Sequence, residues 1–514
     1  MIYKLLVSQY IDKQMQKNYY ITTPIYYVND VPHIGHAYTT LCSDVLARYM
    51  RLDGRNVKFL TGTDEHGQKV AKSAEKKNIP PQEFVNKLSL KFKELANILN
   101  VSNDDFIRTT EDRHKRAVQH LWNILVKNGD IYLGKYSGWY SVRDEAFYAE
   151  SELIDGKAPT GAPVEWMEED SYFFALSKWQ DKLLQFYEDN PDFIRPASRR
   201  NEIISFVKSG LMDLSVSRTS ISWGVDVPNA PGHVVYVWLD ALTNYISALG
   251  YPDNSQDFKD FWPADVHMVG KDITRFHAVY WPAFLMAASI EPPKSVVAHG
   301  WWTNEGQKIS KSIGNVIDPI ALIEEFGLDQ VRYFMLREVI FGNDGNYSRE
   351  AFVNRVNNEL SNKVGNLAQR ILSFISKIDG KVPDPKQDIG GDENIAFCRS
   401  LKPLLDAAME RENFNLVLDK INEIADRANL YVDQMAPWKL KNTDQDKMLE
   451  VLYITLELIR YIGIYLQPFI PTSAAKLLDL LAVETDHRNF KDLDKMLKPG
   501  DSLPSPEVIF PRVE

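Results

Sequence analysis

YYITTPIYYVNDVPHIGHAYTTLCSDVLARYMRLDGRNVKFL, residues 19–60, carries the reading that decides the fold. Tyr19–Tyr27 is β-branched and aromatic and predicts a strand. From Ile34 the period changes. Ala37, Leu41, Val45 and Tyr49 recur every four residues and Gly54 stands past the last of them as a stop signal, so a helix is predicted. Val57–Leu60 predicts a second strand. A strand–helix–strand order is the unit of an α/β fold with a doubly wound parallel sheet. Strand-like runs return at Val234–Leu239, Val266–Gly270 and Val296–Trp302. Ligands of open sheets lie beyond the carboxyl ends of the strands, which places Trp238, Lys271, Asp272 and His299 around one crevice.

Between Gly129 and Val225 the chain is rich in Gly, Pro, Tyr and Trp with mixed periodicity, and predicts an insertion in the sheet domain. Asp318–Pro319 predicts a helix start, with Asp as N-cap and Pro at the first position. From Ser348 onward, Phe352, Val356, Leu360, Val364, Leu367, Ile371 and Ile375 form one apolar stripe, predicting an α-helical bundle. The tail after Pro499 reads as extended.

Composition bounds the rest. A chain of 514 residues predicts about three domains. Its net charge of -11 argues against a generally basic nucleic-acid coat, though a local basic path suffices for RNA contact. Cys42 and Cys398 are the only cysteines and form no C-x-x-C pair, which excludes a disulfide framework and a multi-cysteine zinc site. They read as buried thiols in a reducing compartment. No apolar run is long enough to span a membrane, and the opening residues resemble neither a signal nor a transit peptide, so a cytoplasmic location is expected.

Two motifs carry chemistry. His33–Ile34–Gly35–His36 follows a strand and opens a helix, where backbone N–H groups attract phosphate. Gly35 lets a flat base approach the backbone, and the two imidazoles can donate to phosphate oxygens. Lys308–Ile309–Ser310–Lys311–Ser312 lies between Gly306 and Gly314, as suits a mobile clamp on a polyphosphate. Alone, the first is also what two surface histidines near a helix cap look like, and the second a solvated basic loop. Together, one after an early strand and one after a late strand, they suit the two halves of a nucleotide site.

With both motifs in view, the sequence resembles class I aminoacyl-tRNA synthetases, whose signatures are HIGH and KMSKS. Here the second reads KISKS, with Ile309 for Met. Thr22–Asn29, Thr61–Gly67, Val237–Ala241 and Gly270–Ile273 with His277 narrow the resemblance to the methionyl-tRNA synthetases. The resemblance implies activation of L-methionine with ATP to methionyl-adenylate and pyrophosphate. Transfer to the 3' end of tRNA(Met) follows, for translation initiation and elongation. Magnesium is expected with the ATP. Implied catalytic residues are His33, His36, Lys308 and Lys311, and implied ATP-binding residues are these with Gly35 and Ser310. The implied methionine pocket is Ile25, Tyr27, Asp64, Trp238, Ala241, Tyr245, Ile273 and His277, with Asp64 on the ammonium. Aromatic walls suit a thioether, and Tyr27 and His277 can each offer a donor toward sulfur.

Asn366, Arg370 and Trp438 match the family's anticodon-binding residues. Asn366 and Arg370 share a helical face, where amide and guanidinium can read base edges while the indole stacks. Many relatives carry a zinc knuckle. Its counterparts here are Ser141–Asp144, Lys157 and Thr160, with no thiolates, so no structural zinc is expected. The implied organisation begins with an N-terminal extension, 1–17. A Rossmann-like catalytic domain follows in two halves, 18–128 and 226–315, split by a connective-peptide domain at 129–225. A stem-contacting linker, 316–350, leads to an α-helical anticodon-binding domain, 351–514. No appended dimerisation module follows, and a monomer is expected. Class I enzymes for isoleucine, valine or leucine usually carry a large editing insertion, and 129–225 is short for one. The cysteine enzyme needs zinc-binding thiols. A small HxGH nucleotidyltransferase lacks the helical bundle, and a non-catalytic tRNA-binding module has no use for both motifs.

Overall fold

The computed structural model describes residues 17–28, 32–144, 146–148, 150–309 and 314–514. Ser310 and Lys311 lie outside the described residues, as does the expected extension apart from Lys17. The chain divides into two compact units. One is Asn18–Pro32 with Lys58–His299; the other joins His33–Val57 to Gly300–Glu514.

The first unit is built on a seven-stranded sheet. Its strands are β1 (Asn18–Thr22), β2 (Tyr26–Tyr27), β3 (Asn56–Asp64), β4 (Asp105–Arg108), β5 (Ile194–Arg195), β6 (Val266–Gly270) and β7 (Val296–His299). They lie in the order β2-β3-β1-β6-β7-β5, with β4 also on β3. The pairings β1–β6, β6–β7, β7–β5, β2–β3 and β3–β4 are parallel. The chain builds outward from β1 on one side and from β6 on the other. The β1/β6 boundary is therefore the switch point where doubly wound sheets hold ligands. Tyr20, Trp122, Val269, Trp281 and Phe284 belong to the core of this unit.

Three expectations need correcting. Tyr19–Tyr27 is not one strand, because it breaks between Thr22 and Tyr26. Pro24 has no N–H to give the ladder. Val234–Leu239 is a strand only at Val234–Val235, which pairs antiparallel with Ser217–Arg218; a helix, Val237–Leu242, takes over. Trp238 therefore stands on a helix, not at a strand end. Trp302 belongs to a separate strand, Trp302–Asn304, rather than to the run from Val296. Residues 129–225 do hold a four-stranded antiparallel sheet, in the order Ala146–Tyr148, Ile131–Ser141, Glu165–Phe174, Leu214–Ser215. The same stretch also returns β5 to the parallel sheet, with Ile194 opposite Val296.

The second unit contains the helix Ile34–Leu52, a three-stranded sheet and the carboxyl-terminal helices. Ala37, Leu41, Val45 and Tyr49 are all buried, as their spacing predicts. Asp318 caps the helix Pro319–Phe326 by accepting from Ile320 N, and Ser348 caps Arg349–Arg355 by accepting from Ala351 N. The apolar stripe from Phe352 to Ile375 is buried throughout, packing with the long helices Phe414–Met435 and Gln445–Leu466.

A buried ion pair fixes the helix Ile34–Leu52 within this unit. The Arg332 guanidinium donates to Asp44 Oδ2 at 2.7 Å, and neither side chain is exposed. Arg332 also donates to Phe469 O at 2.8 Å and Pro468 O at 3.1 Å, and Arg48 Nε donates to Asp44 at 2.8 Å. Removing one member leaves an uncompensated buried charge, at a cost of about 3–5 kcal/mol. Arg332→Ala is expected to lower the unfolding free energy of this unit by that amount, measured by urea denaturation. An unchanged midpoint would show that the pair contributes nothing.

Candidate active site and anticodon surface

In the first unit, the candidate methionine residues come from β2, β3, two short helices and the segment after β6. Tyr27 of β2 pairs with Asp64 of β3, which is 7% exposed. Ile25 lies in the break before β2 and packs against the unit's core. Trp238 and Ala241 stand on the helix Val237–Leu242, and Tyr245 follows on Asn244–Ser247. Ile273 and His277 follow β6. Gly270 partners His299 on β7. A Cβ on Gly270 would come 2.7 Å from Asp272 Oδ1 and 3.8 Å from His299 Cε1, so all three crowd one strand end. Trp238 stacks on Phe276 with 3.6 Å between centroids and 10° between planes.

The bonds of His277 define its tautomer. Nδ1 lies 2.9 Å from Ile273 O, which can only accept, so Nδ1 carries the proton. Nε2 then accepts from Tyr245 Oη at 2.7 Å. Both nitrogens are committed, so His277 has no donor to offer a thioether sulfur, which corrects that expectation. Tyr245 in turn stacks on His267 at 4.0 Å. His267 Nε2 accepts from the Trp281 indole at 3.3 Å, and its Nδ1 donates to Thr22 Oγ1 at 2.8 Å.

The HIGH residues belong to the second unit. His33 is the N-cap of Ile34–Leu52. Its Nδ1 accepts from Gly35 N at 3.1 Å, while His36 Nδ1 accepts from His33 N at 3.2 Å. A ring nitrogen that accepts carries no proton, so both rings hold theirs on Nε2. The rings stack with centroids 3.8 Å apart. Burial and the neighbouring His33 push the pKa of His36 well down, which keeps it neutral. A Cβ on Gly35 would come 3.0 Å from His33 Cε1, so the glycine also makes room for the capping imidazole.

Lys308 lies on the short strand Gln307–Lys308, antiparallel to Trp302–Asn304. Glu305 and Gly306, with φ of 49° and 76°, make the tight turn between them. The Lys308 ammonium lies 5.4 Å from the Trp301 ring. Asn304 Nδ2 donates to Asn315 O at 3.0 Å, and Asn315 Nδ2 donates to Lys308 O at 3.1 Å, which ties together the two ends of the KISKS segment. Tyr38, in the first turns of the HIGH helix, packs edge-on against Trp302 at 5.5 Å.

The candidate anticodon residues line one side of the helical bundle. Arg370, Ile371, Phe374, Lys377, Pro437 and Trp438 surround a cavity of about 270 Å³. Trp438 is 41% exposed, with the Arg370 guanidinium 5.7 Å from its ring. Arg370 also donates to Asp433 Oδ1 at 3.0 Å and to Asn429 Oδ1 at 3.5 Å. Asn366, one turn before Arg370, is exposed.

Comparison with known proteins gives the family. The family model "tRNA synthetases class I (M)" matches residues 19–162 and 151–372, and "Anticodon binding domain of methionyl tRNA ligase" matches 391–514. A methionine–tRNA ligase from Rickettsia felis is 63% identical, over 97% of this chain and 99% of its own length. The chain belongs to the methionyl-tRNA synthetase family. The methionine–tRNA ligase of Brucella suis is 54% identical over 97% of this chain and 98% of its own. The Mycobacterium tuberculosis methionyl-tRNA synthetase, solved with methionyl-adenylate, superposes with a TM-score of 0.94 at 50% identity, covering 96% of this chain and 100% of that one.

At Ser141–Asp144 and Thr160, which the resemblance sets against a zinc knuckle, hydrogen bonds converge on Asp144. Its carboxylate accepts from Ser141 Oγ at 3.0 Å, Tyr148 Oη at 3.2 Å and Thr160 Oγ1. Burial pulls its pKa up, but the bonds from Thr160, Ser141 and Tyr148 hold it below the usual carboxylate range. One carboxylate with hydroxyls and Lys157 does not match the thiolate and imidazole set of a structural zinc site.

Sequence reasoning missed Phe276, His267 and His114, which read locally as ordinary core, and it gave no role to His66 although that residue lies within Thr61–Gly67. Sequence also gave no hint of the state of His277, whose pKa burial lowers from 6.5 to about 4, against opposing pulls from Ile273 O and Asp272. Between those values the unfolded chain binds the proton and the folded chain does not. The contribution of His277 to stability is therefore complete above pH 6.5 and falls as pH drops toward 4. His277→Gln is expected to lose less stability than the parent between about pH 7 and pH 5, measured from urea midpoints at both values. Equal losses would place His277 outside the pH response.

Proposed function

We propose the following roles for named residues of this methionine–tRNA ligase. In the first step the methionine carboxylate attacks the α-phosphorus of ATP and pyrophosphate departs. The carboxylate is ionised at neutral pH, so no general base is needed. Catalysis then rests on positioning and on charge stabilisation. The observation that carries the assignment is the HIGH pair. Both Nδ1 atoms are bonded to backbone N–H groups, which puts both ring protons on Nε2 as donors suited to phosphate oxygens. Gly35 and the helix N-terminus supply the backbone face toward the nucleotide. Lys308, Ser310 and Lys311 would hold the phosphates and neutralise charge on the departing pyrophosphate. Magnesium, held through phosphate oxygens, would add to that neutralisation.

Asp64 would hold the substrate ammonium. Ile25, Tyr27, Trp238, Ala241, Tyr245, Ile273 and His277 would enclose the thioether. Neutral His277 serves as a wall whose orientation Tyr245 and Ile273 fix, with no bond from it to sulfur. In the second step a terminal ribose hydroxyl of tRNA(Met) attacks the adenylate. Asn366, Arg370 and Trp438 would select the tRNA by its anticodon. Two buried, unpaired thiols, Cys42 and Cys398, support a reducing, cytoplasmic setting.

Amino-acid-dependent ATP–pyrophosphate exchange across the twenty amino acids tests the reading as a whole, and only methionine is expected to support it. Lys311→Ala is expected to slow exchange by roughly 10²–10³-fold with little change in methionine binding, as for loss of one donor that acts when charge develops. A near-normal rate would remove Lys311 from the reaction. Trp438→Ala is expected to cost about 1–3 kcal/mol of tRNA interaction through lost stacking, with exchange near normal. Unchanged aminoacylation would return Trp438 to the bundle's packing.

A further inference from the structure

The turn that follows Asp64, the last residue of β3, is held by side chains to which the roles above assign nothing. Glu65, wholly buried, accepts from Arg108 Nε at 2.6 Å and Arg108 Nη2 at 2.9 Å. The hydroxyls of Thr63 and Thr110 reach it at 2.8 and 2.5 Å. The Trp223 indole donates to Glu65 O at 2.7 Å, and Gly67 N donates to Trp223 O at 3.2 Å. His66 points elsewhere: its Nδ1 lies 2.6 Å from Asp240 Oδ2, across 174 residues of chain.

Asp240 is 1% exposed and sits between Trp238 and Ala241 on the helix Val237–Leu242. Its second oxygen lies 2.8 Å from Nε2 of His114, on the helix Asp112–Lys127. Nδ1 of the same imidazole lies 2.9 Å from Ser247 Oγ. Burial pushes the Asp240 carboxyl up, but His66 and His114 together bring it down to about 2, so it is ionised and accepts from both rings. A buried charged network of this kind returns little net stability over an apolar filling of the same volume. What it does supply is a geometry that an apolar contact would not specify.

We infer that Asp240 is a positioning residue for methionine, its carboxylate joining the Asp64 turn, through His66, to the helix that presents Trp238 and Ala241. The inference rests on the assignment of Asp64, Trp238 and Ala241 to the methionine pocket. An amino acid held by its ammonium at one wall and its side chain at another is sensitive to the spacing of those walls. Loss of the strut therefore weakens methionine binding and leaves ATP binding as it was.

The test is steady-state exchange kinetics on the full chain, with thermal midpoints recorded alongside. His66→Leu and His114→Leu remove the N–H donors. His66→Asn and His114→Gln keep them, because the Asn amide nitrogen takes the place of Nδ1 and the Gln amide nitrogen that of Nε2. The leucine variants are expected to raise KM for methionine about 10- to 10²-fold, with KM for ATP within about twofold of the parent, and the amide variants to recover most of the loss. Asp240→Asn keeps the size and one acceptor oxygen, carries the same expectation, and decides the matter if a leucine variant does not fold. An unchanged KM for methionine, or amide variants no better than leucine ones, would overturn the inference whatever the thermal midpoints. Asp64→Asn in the same series separates the two layers. If it leaves KM for methionine unchanged, the pocket assignment itself has failed; if it alone raises KM, only the role of Asp240 falls.

Discussion

A carboxylate and a guanidinium with no access to water hold the HIGH helix in place. Asp44 and Arg332 would each be costly to bury alone. Together, with Arg48 and the carbonyls of Pro468 and Phe469 using further capacity, they form a satisfied junction. The junction lies in the middle of the helix Ile34–Leu52, about two turns beyond the histidines that its first turn presents. It ties that helix to Leu328–Glu338 and to the end of Gln445–Leu466. This explains why a helix that follows β1 and β2 in sequence packs with residues beyond Gly300. The cap residues His33 and His36 are then set on a fixed helix, and their bonds to backbone N–H groups leave little freedom to the rings.

Histidines illustrate how much of the site's chemistry is decided by neighbours. The imidazoles of His33 and His36 accept at Nδ1 and carry their protons on Nε2. His277 and His267 are the reverse, with the proton on Nδ1 and Nε2 accepting. Burial keeps His36, His267 and His277 neutral by lowering each pKa. The same side chain thus carries its proton on Nε2 in one place and on Nδ1 in another, as its neighbours dictate.

Much of the fold was legible because it is written in local periodicity. The four-residue spacing from Ala37 to Tyr49, the cap Asp318, the strand Val266–Gly270 and the stripe from Phe352 to Ile375 each correspond to an element in place. What escaped was short or long-range. The two-residue strand Ile194–Arg195 is too brief to show alternation, and its identity comes from its partner Val296. Val234–Leu239 is apolar enough for a strand or a buried helix, and length alone could not arbitrate. Ion pairs such as Asp44–Arg332, 288 residues apart, leave no trace in a hydrophobic pattern. At the candidate site the motifs name residues for testing, whereas tautomers, the Trp238–Phe276 stack and the partners of Asp240 exist only once distant elements meet.

Arg370 faces the Trp438 cavity with its charge already balanced. Asp433 accepts one of its N–H groups and Asn429 another, so Arg370 meets the cavity as a paired cation beside a flat aromatic, and Lys377 also lines it. The salt dependence of nucleic-acid affinity arises from counterions released when cations neutralise phosphates. A base stacked on Trp438 beside a paired arginine releases none. On the proposed assignment, ionic strength and anticodon choice are therefore separate variables for this chain. Added salt weakens the hold on every tRNA alike, and the preference for one anticodon over another survives it.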